Sequence, residues 1–118
     1  MPVYTTSQKM AQEAYARITQ RKPDDKYASF AREFPTLVHA CGLAQAVAFA
    51  LAKGGHRPQY VDDLAVVLRA AGCGPLHDAK RLSQETHSLP VARYLRLSRS
   101  ALAAAVWLKR YVEAGAEN

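Results

Sequence analysis

The sequence contains few of the residues from which metal sites and disulfide frameworks are built. Cysteine occurs only as Cys41 and Cys73, and histidine occurs at four positions. The two cysteines do not form a Cys-x-x-Cys pair, and no two histidines have the spacing of the His-Glu-x-x-His zinc motif. Two cysteines are also too few for the disulfide framework of a small secreted domain. We therefore expect no metal site, no cofactor and no disulfide scaffold.

Long apolar runs are also missing. The longest, from Ala46 to Ala52, is far shorter than the roughly 20 residues that a membrane-spanning helix needs. The N-terminal segment Met-Pro-Val-Tyr-Thr-Thr lacks the basic and apolar regions of a secretory signal peptide. These absences predict a cytoplasmic protein without a membrane partner.

The residue patterns of common catalytic sites are absent as well. No glycine-rich loop is suited to cradle a phosphate, and no serine or cysteine stands at a spacing that singles out a base for it. Two pairs of adjacent carboxylates, Asp24-Asp25 and Asp62-Asp63, lie at predicted helix starts, where N-capping explains them. We therefore expect no catalytic residues and no enzymatic activity.

Positive charge is what the sequence does have. Sixteen lysines and arginines outnumber ten aspartates and glutamates, which gives a formal net charge of +6. A positive field favours polyanionic partners: nucleic acid, an acidic protein or an anionic membrane. A solvated basic surface without a specific partner is the alternative.

Local sequence signals predict an all-α chain. Nowhere do β-branched residues alternate with polar ones over a useful length, while alanine is abundant and glycine lies between segments. We predict a single helical domain over residues 1–118, with short flexible ends at 1–5 and 115–118. Its architecture is expected to be a bundle of about five to six helices around a central apolar helix.

Caps and breakers set the predicted helix boundaries. Thr5 and Gln8 have capping-box spacing, and Pro23 and Pro35 are expected to end helices. The helix that begins at Pro35 is apolar nearly all round and is therefore the predicted central helix, with Gly42 inside it where another helix approaches closely. The predicted helices span 7–22, 25–34, 35–53, 59–71, 76–85 and 91–114.

The last predicted helix separates two kinds of side chain when residues are placed at about 100° intervals. The sector predicted to face the core contains Val91, Leu95, Leu97, Ala101, Leu102, Ala105, Val106, Leu108 and Val112. The remaining sector contains four arginines and two aromatic residues, namely Arg93, Arg96, Arg99, Arg110, Trp107 and Tyr111. Arginine binds phosphate oxygens in a bidentate manner, so this sector is a candidate nucleic-acid-binding face. The two aromatic rings are expected to pack in a core or interface rather than to stack on bases.

Two stretches of the chain carry a family resemblance. One runs from Ala31 to Lys53, and the other runs from Tyr94 and ends in Trp107-Leu-Lys-Arg-Tyr111. Together they resemble the small-subunit family of the type III-B CRISPR Cmr complex. That family pairs a P-x-L-I-x-x-x-G-L-x-Q-x-x-A-F segment with a C-terminal W-L-K-R-[FY] ending. The residues that match the first pattern are Pro35, Leu37, Val38, Gly42, Leu43, Gln45, Ala48 and Phe49.

The resemblance implies a non-catalytic helical subunit whose copies stack along the inner filament of an RNA-guided antiviral complex. Its partners would be the other Cmr subunits, further copies of itself, guide RNA and target RNA. The residues that fit contact with RNA phosphates are Lys53, Lys109 and Arg110 in the matching motifs, joined by Arg93, Arg96 and Arg99, with Arg17 and Arg21 as further candidates. The residues expected to serve the core or a protein interface are Pro35, Gly42, Gln45, Trp107 and Tyr111.

Two other functions stay open at this point. A helix-turn-helix DNA binder would use the helix over 59–71, the Gly72–Pro75 turn and the next segment, although Lys80, Arg81 and Gln84 make a sparse recognition surface. A helical protein-interaction scaffold would make no direct contact with nucleic acid.

Overall fold

Six α-helices make up the computed structural model of the chain, which describes residues 2–116. The helices are α1 (Thr6–Arg21), α2 (Asp25–Cys41), α3 (Leu43–Lys53), α4 (His56–Ala70), α5 (Ala79–Ser88) and α6 (Val91–Ala116). Within the described range there is no β-strand, and the helices share one hydrophobic core. The prediction of an all-α bundle is confirmed. Of the predicted flexible ends, Met1 and residues 117–118 lie outside the described residues.

The first helix begins as its sequence predicts. Thr5 is the N-cap residue: its hydroxyl accepts a hydrogen bond from the backbone N–H of Gln8, and the Gln8 side chain accepts one from the backbone N–H of Thr5. This reciprocal pair satisfies two of the backbone donors that a helix start leaves free. The helix ends at Arg21, and the C-cap residue Lys22 adopts a left-handed conformation before Pro23.

The second and third helices divide at Gly42 and not at Pro35, so the predicted boundary is wrong. Proline within a helix removes one hydrogen bond, but Phe34 and Val38 on either side of Pro35 are buried, and this packing keeps α2 continuous. Gly42 has φ +86° and ψ 162°, a conformation that is essentially restricted to glycine. Its role is therefore to turn the chain between two helices, whereas the sequence predicted a close approach within one helix.

The centre of the bundle is α4, and the prediction that the helix over 35–53 is central is therefore also wrong. Helix α4 packs against each of the other five helices. Its residues from Tyr60 to Leu68 are buried except for Asp62, which is partly exposed. In α3, by contrast, Ala48 and Phe49 are exposed. Although α3 is apolar nearly all round, only one of its faces is buried in the core.

A buried carboxylate on α4 joins three helices. Asp63 is fully buried and accepts hydrogen bonds from Arg17 and Arg21 of α1 at 2.9–3.0 Å and from the Tyr27 hydroxyl of α2 at 2.5 Å. Asp62 accepts a hydrogen bond from the backbone N–H of Ala79 at the start of α5. The expectation that this pair of aspartates caps its own helix start is wrong, because α4 begins at His56. The corresponding expectation for Asp24 is confirmed, since its side chain caps α2.

Two neighbouring buried tyrosines differ in whether their hydroxyl group has a hydrogen-bond partner. Burial and the nearby Asp63 carboxylate raise the pKa of both Tyr27 and Tyr60, so both hydroxyls stay protonated. The Tyr27 hydroxyl donates to Asp63, whereas the Tyr60 hydroxyl has no hydrogen-bond partner among residues 2–116.

We expect the two corresponding phenylalanine variants to change stability in opposite directions. Tyr60→Phe removes a buried hydroxyl without a partner and should raise the free energy of unfolding by about 1 kcal/mol. Tyr27→Phe removes a hydrogen bond to a buried carboxylate and should lower it by about 2 kcal/mol. Urea unfolding of both variants measures the difference, and each variant is the control for the other. Equal effects of the same sign would contradict this assignment of partners.

The core-facing sector of α6 is narrower than predicted. The prediction of burial is confirmed for Leu97, Ala101, Ala105, Leu108 and Val112. Ala104, which was not predicted to be buried, is buried as well. Three predicted core residues are instead exposed: Val91 by 75%, Leu95 by 51% and Val106 by 39%. They lie on the edge of the sector, where no neighbouring helix of the described chain covers them.

Candidate nucleic-acid interface

Four arginines lie along the outer surface of α6, as the sequence predicted. We call Arg93, Arg96, Arg99 and Arg110 the arginine row. All four are exposed, and at about 100° per residue they fall within a sector of about 120°. A rise of about 1.5 Å per residue places Arg93 about 26 Å from Arg110. Within residues 2–116 none of the four guanidinium groups has a carboxylate partner, so their charge is available to an external anion.

The core explains why this sector faces outward. Helix α6 packs against α1, α2 and α4 through an alanine-rich strip that includes Ala101, Ala104 and Ala105. Small side chains allow close helix packing, and the side opposite such a contact faces solvent. The position of the arginine row therefore follows from which residues of α6 form the core.

A cleft brings a further arginine to the first two members of the row. It lies between α5 and α6 and has a volume of about 410 Å³. We call it the α5–α6 cleft, and its polar and turn residues are Gly72–Pro75, Arg81, Glu85, Arg93, Arg96 and Ser100. Arg81 pairs with Glu85 at 3.0 Å, one turn along α5. In the sequence, Arg81 is a candidate only within a DNA-recognition helix, and no local pattern links it to α6.

The two predicted lysine contacts are not members of the arginine row. Lys53 is the last residue of α3, and its ammonium group lies 5.9 Å from the centre of the Phe49 ring. Lys109 is on α6, but it is about 100° around the helix from Arg110 and partly buried. The structure thus brings the four arginines to one sector of α6, whereas Lys109 is on another side of that helix and Lys53 is on α3.

Arg17 and Arg21 take part in the internal structure. Their side chains are about a quarter exposed and both pair with the buried Asp63 carboxylate, at 2.8 and 2.9 Å. The hydrogen bonds to Asp63 raise the pKa of Arg21, which keeps its charge in the partly buried site. The guanidinium groups of these two residues are therefore already engaged with a carboxylate.

The aromatic residues of the C-terminal motif pack against each other. Trp107 and Tyr111 are stacked with ring centroids 5.8 Å apart, and Tyr15 of α1 meets Tyr111 edge-on at 5.5 Å. Trp107 and Tyr111 are half-buried, while Tyr15 is 60% exposed. The stack therefore fixes the C-terminal half of α6 on α1 and leaves an aromatic edge at the surface.

The first motif segment forms the connection between α2 and α3. A Cβ atom on Gly42 would lie 3.6 Å from the hydroxyl oxygen of Tyr94, and this hydroxyl accepts a hydrogen bond from the backbone N–H of Ala44. Tyr94 belongs to the second motif segment, so the two segments meet at this point. Pro35 is partly buried in α2, and Gln45 is exposed on α3.

The remaining geometry bears on the alternative functions. Residues 71–78 separate α4 from α5, which is longer than the roughly three- to four-residue turn of a helix-turn-helix unit. Over the described range, no three His, Cys, Asp or Glu side chains group as metal ligands would. None of the helices there combines the length and apolar character that crossing a membrane requires.

Comparison with known proteins identifies the family. A family model described as CRISPR-associated protein (Cas_Cmr5) matches residues 6–115. The chain is 34% identical over 114 residues to the CRISPR system Cmr subunit Cmr5 of Thermus thermophilus, covering 93% of this chain and 95% of that protein. It also superimposes on the crystal structure of a CRISPR-associated Cmr5 family protein from Thermus thermophilus. The TM-score is 0.84 at 34% identity, over 94% of this chain and 97% of that one. The chain therefore belongs to the Cmr5 family of CRISPR-associated proteins.

Proposed function

We propose that the chain is a non-catalytic subunit of a cytoplasmic, RNA-guided Cmr complex and that it contacts RNA through the arginine row. Copies of the chain stack along the complex beside the other Cmr subunits, and together they hold guide RNA and target RNA. The observation that carries this proposal is the arginine row itself: four exposed guanidinium groups in one sector without carboxylate partners among residues 2–116.

The proposed mechanism is neutralisation of phosphate charge. Guanidinium groups bind phosphate oxygens and carry no information about base sequence. Pairing between guide and target supplies the specificity, which is the division of labour found in RNA-guided complexes. A row about 26 Å long can contact several consecutive phosphates of one strand. Because these cations are exposed, the affinity of one subunit is expected to be modest and sensitive to salt.

Arg17 and Arg21 are not among the proposed RNA contacts. Their ion pairs with Asp63 would have to break before either guanidinium group could bind a phosphate. Lys53 and Lys109 are proposed as further RNA contacts outside the arginine row, since a subunit inside a stack has more than one neighbour.

Reversing two charges of the arginine row tests the proposal. We expect Arg96→Glu/Arg110→Glu to assemble into a reconstituted Cmr complex and to weaken its affinity for target RNA about 100-fold at low salt. The slope of the logarithm of affinity against the logarithm of salt concentration should become shallower by about 0.7 for each lost contact. Filter binding or fluorescence anisotropy over a range of salt concentrations measures both quantities.

The control reverses two exposed charges elsewhere. Lys26→Glu/Arg32→Glu makes the same change in net charge on α2, where neither side chain belongs to the arginine row. An arginine-row variant that assembles but retains both the affinity and the salt slope of this control would refute RNA contact by the row.

A protein-interaction scaffold without RNA contact is the second candidate. The exposed apolar side chains Val91, Leu95 and Val106 favour it, because they lie beside the arginine row and no helix of the described chain covers them. Under this alternative, Leu95→Asp/Val106→Asp would prevent incorporation into the complex, while the charge reversals would leave RNA binding unchanged.

A further inference from the structure

We propose that the α5–α6 cleft binds a phosphate group of an RNA backbone and that Arg81 is one of the contact residues. This inference rests on the proposed function, because it names one place where RNA meets the chain and adds a residue outside the arginine row. It also gives Glu85 a role, as the carboxylate that competes with the phosphate for Arg81.

The geometry of the cleft lets an anion be contacted from two sides. Arg81 reaches the cleft from α5, while Arg93 and Arg96 reach it from α6. Helix α5 packs on α3 and α4, and the space between it and α6 therefore stays open. A single exposed helix face offers a phosphate donors from one helix, whereas this cleft is lined by arginines of two helices.

The charge of the cleft is unbalanced. Three arginines and one glutamate line it, and Glu85 is the one carboxylate among its described lining residues. Glu85 already pairs with Arg81, so Arg93 and Arg96 have no counter-charge in residues 2–116. These two arginines are three positions apart on α6, a spacing at which like charges repel. A bound anion removes this repulsion, which is a reason for the cleft to favour one.

The turn that lines the cleft has open space beside its two glycines. Gly72 and Gly74 have φ values of +86° and +121°, a conformation that glycine adopts without strain. No atom lies within 4 Å of the position that a Cβ atom would take at either residue. The backbone of this turn is therefore open on the side where a side chain would otherwise stand.

An RNA backbone fits this surface better than an acidic segment of a protein does. The arginine row continues from Arg96 to Arg99 in the same sector, with about 4.5 Å of axial rise, so the positive surface extends out of the cleft. A sugar–phosphate backbone presents charges in series and can follow such a surface, as single strands do in positively charged grooves. An acidic peptide is the competing occupant, and the experiment distinguishes the two.

Nuclear magnetic resonance of the full-length chain is the measurement, because it detects weak binding. The side-chain Nε resonances of Arg81, Arg93 and Arg96 are followed while a short single-stranded RNA is added. We expect all three to shift, and we expect Arg81→Ala to raise the dissociation constant about fivefold. Glu85→Gln releases Arg81 and should lower the dissociation constant about twofold.

Matched variants on α2 control for net charge. Arg32→Ala removes one exposed arginine and Glu33→Gln removes one exposed carboxylate, both outside the cleft. The inference is overturned if the Arg81 resonance does not move, or if Arg81→Ala weakens binding no more than Arg32→Ala. It is also overturned if polyglutamate at the same charge concentration shifts the three resonances and binds as tightly as the RNA does.

Failure of the cleft and failure of the proposed function give different results. If Arg96→Glu/Arg110→Glu weakens RNA binding by the Cmr complex while Arg81→Ala has no effect in either assay, the cleft alone is wrong. If both sets of variants bind RNA like their controls, RNA contact by this subunit is wrong as a whole.

Discussion

Replacing Asp63 with asparagine is expected to lower the free energy of unfolding by about 4 kcal/mol, the largest effect that we expect from one substitution. Asp63 is fully buried and holds Arg17, Arg21 and Tyr27 through its two carboxylate oxygens. Asparagine has nearly the same shape, so the packing of α1, α2 and α4 would be retained. Its amide carries no charge, however, and the two guanidinium groups would be left partly buried without a counter-charge.

Urea unfolding followed by circular dichroism measures this loss. The control is Asp25→Asn, which removes an exposed carboxylate from the first turn of α2 and should cost less than about 1 kcal/mol. If the two variants lost the same amount of stability, Asp63 would contribute no more than a surface carboxylate does. Its hydrogen bonds to α1 and α2 would then not stabilise the fold as expected.

Truncating Leu64 to alanine is expected to cost about 3 kcal/mol, because it opens a cavity where α4 meets its neighbours. Leu64 is fully buried at the middle of the helix that packs against all five others. The same substitution at Leu51 of α3 should cost about 1 kcal/mol, since that side chain is only partly buried at the edge of the core. Both changes remove the same atoms, so the difference measures how deeply each side chain is buried.

Thermal or urea unfolding of the two leucine variants measures both losses. A larger loss for Leu51→Ala than for Leu64→Ala would support the expectation from the sequence, in which the apolar helix over 35–53 lies at the centre. The structure predicts the opposite order.

Boundaries set by side-chain chemistry were predictable, whereas boundaries set by backbone geometry were not. The capping box at Thr5 and the cap at Asp24 depend on residues three positions apart, and both are present. The local sequence around Pro35 predicts the end of a helix, but tertiary packing of Phe34 and Val38 keeps the helix intact. The sequence predicts that Gly42 lies inside a helix. Only its positive φ shows that it lies between the end of one helix and the start of the next.

The periodicity of α6 predicted the arginine row correctly and the core sector too broadly. Helical periodicity assigns residues to faces, and the four arginines do lie on an exposed face. It does not say how many neighbouring helices cover the apolar face. Val91, Leu95 and Val106 are exposed because α1, α2 and α4 cover only the opposite side of the predicted sector.

The sequence by itself determined the helical class, the capping of α1 and α2, the charged sector of α6 and the motifs typical of the Cmr5 family. Each of these depends on residues close together in the chain or on a recognisable series of them. Tertiary structure alone decided that α4 is central, that Asp63 holds Arg17 and Arg21, and that Arg81 meets Arg93 and Arg96 across a cleft. Arg17 and Asp63 are 46 positions apart, and no local pattern specifies which distant side chains will meet when helices pack. Such contacts are fixed by the burial of the whole core, in which each helix limits where the others can lie.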